Sequence, residues 1–163
     1  MKQLIKNIQK ISLRKAGWIT IVVGGIGILL QLLVRCRIVP YQWVNGGRTG
    51  SWEEAKGIVT YSIVMLLILR LISAIGASII PIKWNKPLHV IFKFVLVALA
   101  IYSVIGMVMQ CLGTTFEKTF CTVLTLVGSI ADIRIAMGQF EKNSYIENES
   151  KNNNETIVTK RIV

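Results

Sequence analysis

Apolar residues in this chain neither alternate nor form narrow stripes. They run in four long blocks, Ala16–Val34, Ile58–Ile80, Val95–Leu112 and Thr119–Met137. A helix needs about 20 apolar residues to cross roughly 30 Å of hydrocarbon, and each block meets or approaches that length. In lipid a backbone must satisfy its own polar groups, so long apolar blocks predict spanning helices. With their flanks the spans are placed at about 16–34, 57–80, 92–112 and 116–138. Short connections make successive spans antiparallel. The chain therefore reads as an all-α membrane protein. A four-helix transmembrane bundle covers 1–138, and a cytoplasmic tail, polar, Asn-rich and disordered, covers 139–163.

Polar positions mark the ends of these elements. Met1 to Lys15 interleaves lysines with Leu4, Ile5, Ile8 and Ile11; it reads chiefly as a basic flank that orients the first span, with a short interfacial helix as the other reading. The apolar run that follows is too long for a signal-peptide core and no A-x-A site follows it, so an uncleaved span is expected. Pro40-Tyr41-Gln42-Trp43-Val44-Asn45-Gly46-Gly47-Arg48 lies in the longest loop. Its Asn-Gly-Gly is a turn signal, because these residues tolerate positive φ. Tyr41, Trp43 and Trp52 suit the headgroup level. Ser51 with Glu54, and Thr114 with Glu117, fit capping boxes that start the second and fourth spans. Pro81 to Pro87 closes the second span.

Composition supports the same picture. Hydrophobic residues make up 53% of the 163-residue chain and charged residues only 17%, below the usual quarter of a soluble domain. A formal net charge of +11 would suit nucleic acid, but the basic residues sit beside the apolar blocks, where they anchor helices, and nucleic acid is not expected as a partner. Lys2, Lys6, Lys10, Arg14, Lys15, Lys83, Lys86, Lys93, Arg134 and Lys142 fall on the side of the termini. Arg35, Arg37, Arg48, Lys56 and Lys118 fall on the other. That excess places both termini in the cytoplasm.

Two charges lie inside the apolar blocks. Arg70 stands about twelve residues beyond Ile58 and Asp132 about thirteen beyond Thr119, on spans running the same way, so both reach nearly the same depth. An unpaired charge at a helix centre costs about 2.5–3.5 kcal/mol on insertion scales. Ser73 and Ala77 share a helix face with Arg70, and Gly128 and Ala136 share one with Asp132. Small residues line faces that pack together, so an Arg70–Asp132 pair inside the bundle is expected, with Tyr61 or Tyr102 beside it. Arg134 and Lys93 are expected to reach for the interface. Thr20 and Gly24, four apart on the first span, fit close helix packing.

Other chemistry finds little support. Cys36, Cys111 and Cys121 contain no C-x-x-C and read as free thiols. His89 is the single histidine, without a second ligand nearby, so no metal or other cofactor is expected. No Ser/His/Asp set, no H-E-x-x-H and no phosphate loop is present, and an enzyme is not expected.

Two stretches carry a resemblance. Ile38 to Arg48 resembles the first-loop P-[YF]-x-x-V-[WN]-G-G-[RK] pattern of an uncharacterised family of small four-span bacterial integral membrane proteins. Thr115-Phe116-Glu117-Lys118-Thr119-Phe120, then Leu124-Thr125-Leu126, resembles their T-x-F-E-K-x-F…L-T-L start of the last helix. The resemblance implies a multi-pass protein of the bacterial cytoplasmic membrane and supplies no activity. Beyond the lipid bilayer, the expected partner is a second membrane protein or another copy of the chain. The first functional expectation is an accessory or immunity-type protein that binds its partner through small-residue faces. The second is a small oligomeric transporter or channel using Arg70 and Asp132.

Overall fold

A computed structural model describes residues 2–82 and 86–140. Helix is the only regular structure among them. Five helices follow in order: α1 (Lys2–Gln9), α2 (Leu13–Arg35), α3 (Trp52–Gly76), α4 (Lys86–Cys111) and α5 (Glu117–Phe140). Helices α2 to α5 are each long and apolar enough to cross a membrane. They form the all-α four-helix bundle that the apolar blocks predict.

The distribution of side chains identifies the surrounding solvent. Leu67, Ile68, Leu71, Ile101 and Ile105 are exposed, while Thr20, Ser73, Ser129 and Asp132 are buried. A bundle with polar groups inside and a continuous apolar coat outside is stable in oil, not in water. Helix α5 touches each of the other three spans. A Cβ at Gly128 would lie 3.3 Å from Val23 of α2. Gly76 of α3 faces Ile135 of α5, and Ser103 of α4 bonds Asp132. Accordingly 44% of α5's most apolar stretch is buried, against 17–22% in the others. The least lipid-exposed helix can carry the most polar groups, and α5 has the lowest hydropathy, 1.6 against 2.2–2.4.

Several helix ends differ from their expected positions, among them the start of α4 at Lys86, six residues before the expected 92. Helix α3 stops at Gly76, four residues before Ile80. Ala77 is the C-cap, and Ser78 takes φ 56°. The Ser78 N–H donates to the Ile75 carbonyl and the Ile79 N–H to the Ala74 carbonyl, both at 3.0 Å, the two bonds of a Schellman closure. Ile79 then packs over Gly17 of α2. The apolar run continued past this stop because the closure uses an apolar residue after the cap and Ser where glycine is usual. Helix α2 ends the same way, with Arg37 at φ 60°. A left-handed residue with a Cβ costs about 1 kcal/mol or more. Ser78→Gly is therefore expected to stabilise the bundle by about 1 kcal/mol, read as a higher unfolding temperature in detergent.

At the chain's start, the segment expected chiefly as a plain flank forms helix α1, and Ser12 caps α2 by accepting the Lys15 N–H. Ser51 caps α3 as expected, but Glu54 reaches the Gly50 N–H, one residue before the cap (3.1 Å). Helix α5 continues to Phe140, two residues beyond the expected end. Gln139 is buried there, and its amide donates to the terminal carbonyl of α3 at Gly76 (2.7 Å). Lys83–Asn85 and the expected disordered tail from Glu141 onward lie outside the described residues.

Two apolar cores stand at opposite ends of the bundle. One contains Ala16, Ala77, Leu96, Ala131 and Ile135, at the end holding α1. The other contains Val34, Val44 and Val59, at the end holding the long loop. The polar layer lies between them.

Candidate functional site

The centre of the layer is Asp132, whose side chain is 1% exposed. Two helices, α3 and α4, send groups to its carboxylate. Ser73 of α3 donates to Oδ1 at 2.9 Å, and Ser103 of α4 donates to Oδ2 at 2.5 Å. Arg70 Nη1 of α3 lies 3.5 Å from Oδ2. Ser129, one turn before Asp132, donates to the Ser103 carbonyl at 2.9 Å and ties α5 to α4. Ser73 sits on the Arg70 face because it follows by three residues. Two hydroxyls and a guanidinium therefore satisfy the carboxylate where hydrocarbon offers no hydrogen bonds.

Arg70 crosses toward α2. A Cβ at Gly24 would overlap Cγ and Cδ of its side chain, so the glycine is the groove in which the arginine lies. The Thr20–Gly24 face thus receives a charged side chain, not a bare helix backbone. Arg70 Nε is buried and has no hydrogen-bond partner among the described residues.

The pair borders a cavity of about 230 Å3 lined by α2, α3, α4 and α5. Leu30, Leu66, Leu69 and Leu124 give it apolar walls. Gln31 and Gln110 stand at its far end, each with a buried, unpartnered side-chain Oε1. Cys121 and Thr125 also line it.

The expected neighbours need revision. Tyr61 is 65% exposed and does not serve the pair. Tyr102 lines the cavity with Arg70 but makes no bond to Asp132; the serines take that place. Nor do Arg134 and Lys93 reach outward. Arg134 is buried, its Nε donating to the Ile11 carbonyl at 2.7 Å, and Lys93 is buried with Nζ 5.6 Å from the Phe140 ring. The α1–α2 link and the end of α5 fold over these cations, providing nearer partners than the headgroups.

The loop motif builds a second assembly. Pro40 precedes a short 3-10 turn at Tyr41–Trp43, and Asn45–Gly47 forms another. Asn45, Gly46 and Gly47 have φ of 57°, 72° and 65°, which explains Asn-Gly-Gly. The turn presents the Gly46 N–H to both carboxylate oxygens of Glu117, at 3.1 and 3.0 Å. Glu117 is 5% exposed and also accepts the Thr114 N–H at 2.9 Å, completing the expected capping box. The Thr114 hydroxyl donates to the Trp43 carbonyl, and the Trp43 and Phe116 rings are 5.8 Å apart. Tyr41 lies 6.1 Å from Trp52, which Arg37 covers at 4.6 Å; the Arg48 side chain folds beside Gly46. The first-loop stretch and the start of α5 therefore clasp one another.

Cys36, Cys111 and Cys121 are free. No group of His, Cys, Asp or Glu able to hold a metal occurs among the described residues. Ser103, Gln31 and Gln110 were missed in the sequence. The available signal was spacing: Gln110 follows Ser103 by seven residues, and Gln31 follows Gly24 by seven, so each shares a helix face with the charge layer. Comparison of the chain with family models, with curated proteins and with solved structures gives no match.

Proposed function

We propose that the chain is a small transporter or channel, not an enzyme, that works through the Arg70–Asp132 layer. In this proposal it lies in a bacterial cytoplasmic membrane with both termini in the cytoplasm, as the distribution of basic residues supports. One observation carries the functional part: the buried ion pair borders a polar-ended cavity inside the bundle. A pair serving only to fix helix positions needs no space beside it. Ionisable groups within a membrane commonly mark ion paths.

Partner binding through small-residue faces is less well supported. Gly17, Gly24, Gly76, Gly128 and Gly138 are all covered by side chains of the same bundle. A different surface favours a partner or a second copy: an apolar groove between α4 and α5, floored by Ala100 and Ala136 and walled by Ile101, Ile105 and Phe140.

In sealed vesicles holding the purified chain, proton-coupled flux is expected and should disappear with Asp132→Asn. That variant keeps the shape and removes the ionisable group. Flux indifferent to Asp132→Asn would overturn the transport proposal. Absence of flux, together with a second membrane protein retained at fixed ratio in mild detergent, would favour the groove.

A further inference from the structure

The cavity's polar atoms are arranged as isolated stations. Arg70 Nε stands at one end, Gln31 Oε1 and Gln110 Oε1 at the other, all buried and without partners among the described residues. Seven helical residues separate Gly24 from Gln31 and Ser103 from Gln110, a rise of about 10 Å. Both amides therefore sit two turns from the charge layer, on α2 and α4, at matching height. Gln110 is the penultimate residue of α4, so the cavity extends to the loop end of the bundle.

Burying an unpaired amide or guanidinium N–H is costly, and this site holds three such groups around open space. Water is the smallest molecule that can satisfy both ends, one molecule donating to the amide oxygens and others in file accepting from Nε. Polar, roomy cavities retain it, whereas apolar ones stay dry.

We propose that the cavity is a water-filled vestibule that carries protons between the loop face and the Asp132 carboxylate, with Gln31 and Gln110 at its mouth. In the transfer step a hydronium gives its proton to Oδ2 and leaves as water. The new O–H replaces the ion pair with Arg70, and the Ser103 hydroxyl turns away from Oδ2. The arginine keeps its charge and remains in the Gly24 groove. The vestibule deepens the transport proposal and depends on it for its biological purpose, but not for its existence.

Cys121 lines the vestibule and serves as a built-in reporter. The test uses the full chain with Cys36→Ser and Cys111→Ser, in detergent and in vesicles with the loop face outward. Silver ion is the probe, a bare monovalent cation able to follow water. After unfolding, mass spectrometry reads whether Cys121 was shielded from alkylation. Silver is expected to shield Cys121, and also a cysteine placed below the glutamines by Ser129→Cys, which lines the same cavity. Shielding of the deeper cysteine should be lost with Gln31→Leu and Gln110→Leu together. Should that pair fail to fold, Gly106→Leu takes its place: Gly106 lines the cavity and a Cβ there meets nothing within 4 Å. An unreactive Cys121 in the folded protein overturns the vestibule, as does shielding of the deeper cysteine that survives the leucines. Shielding without Asp132-dependent flux sustains the vestibule and defeats the transport proposal; flux without shielding does the reverse.

Discussion

Replacing Asp132 by leucine is expected to destabilise the bundle by about 3–5 kcal/mol, the penalty for removing one partner of a buried ion pair. The guanidinium cannot lose its proton, and Arg70 would be left in the Gly24 groove with its counter-ion gone. Arg70→Leu should cost less. Asp132 would keep the Ser73 and Ser103 hydroxyls, and it can take a proton and become neutral. The double variant carries neither charge and should recover to within about 1–2 kcal/mol of the native protein, since an apolar replacement of a whole pair is often neutral. Unfolding temperature in detergent and accumulation in the membrane provide the measurement. Losses that simply add in the double variant would show that the two groups do not act on one another. A larger loss for Arg70→Leu than for Asp132→Leu would show that the carboxylate, not the guanidinium, is the group unable to stand alone.

The backbone plan was legible because hydrocarbon demands long apolar helices, and nothing else in a chain of this length resembles them. The depth of Arg70 and Asp132 was legible for a related reason: both stand out against apolar neighbours, and counting along a helix gives height. Which residues would attend the carboxylate was less legible. Tyr61 and Tyr102 are larger and more conspicuous than Ser73 and Ser103, but a short hydroxyl fits between closely packed helices and a ring does not. Ser103 stands on α4, and nothing in the sequence fixes the rotation of α4 against α5. Arg134 and Lys93 misled for the same reason. Their positions near span ends suggested headgroup contact, while the chain crossing over them could not be read from spacing. The Schellman ends at Arg37 and Ser78 lacked glycine, so the apolar pattern ran on through the second of them.

The largest effect outside the charge layer is expected at Glu117. Among the described residues, two capping boxes of the same sequence logic stand in different surroundings. Glu54 is exposed and accepts one N–H, that of Gly50. Glu117 is buried and accepts N–H groups from both Thr114 and Gly46, the second lying 71 positions away in the chain. Glu54→Ala should therefore cost about 0.5–1 kcal/mol, the ordinary value of a cap. Glu117→Ala should cost about 3 kcal/mol, because two buried N–H groups lose a charged acceptor and regain no water. The two losses should also differ in kind. Glu54→Ala frays the first turn of α3 and leaves the loop in place. Glu117→Ala releases the Asn45–Gly47 turn from α5, so the loop becomes open to protease before the helices melt. Glu117→Gln separates charge from shape. It retains one acceptor oxygen but turns an amide donor toward the same N–H groups, and should fall nearer to alanine than to the native residue. Equal melting losses for Glu54→Ala and Glu117→Ala, with no change in loop cleavage, would mean that the aromatic contacts of Trp43 and Phe116 hold the loop by themselves.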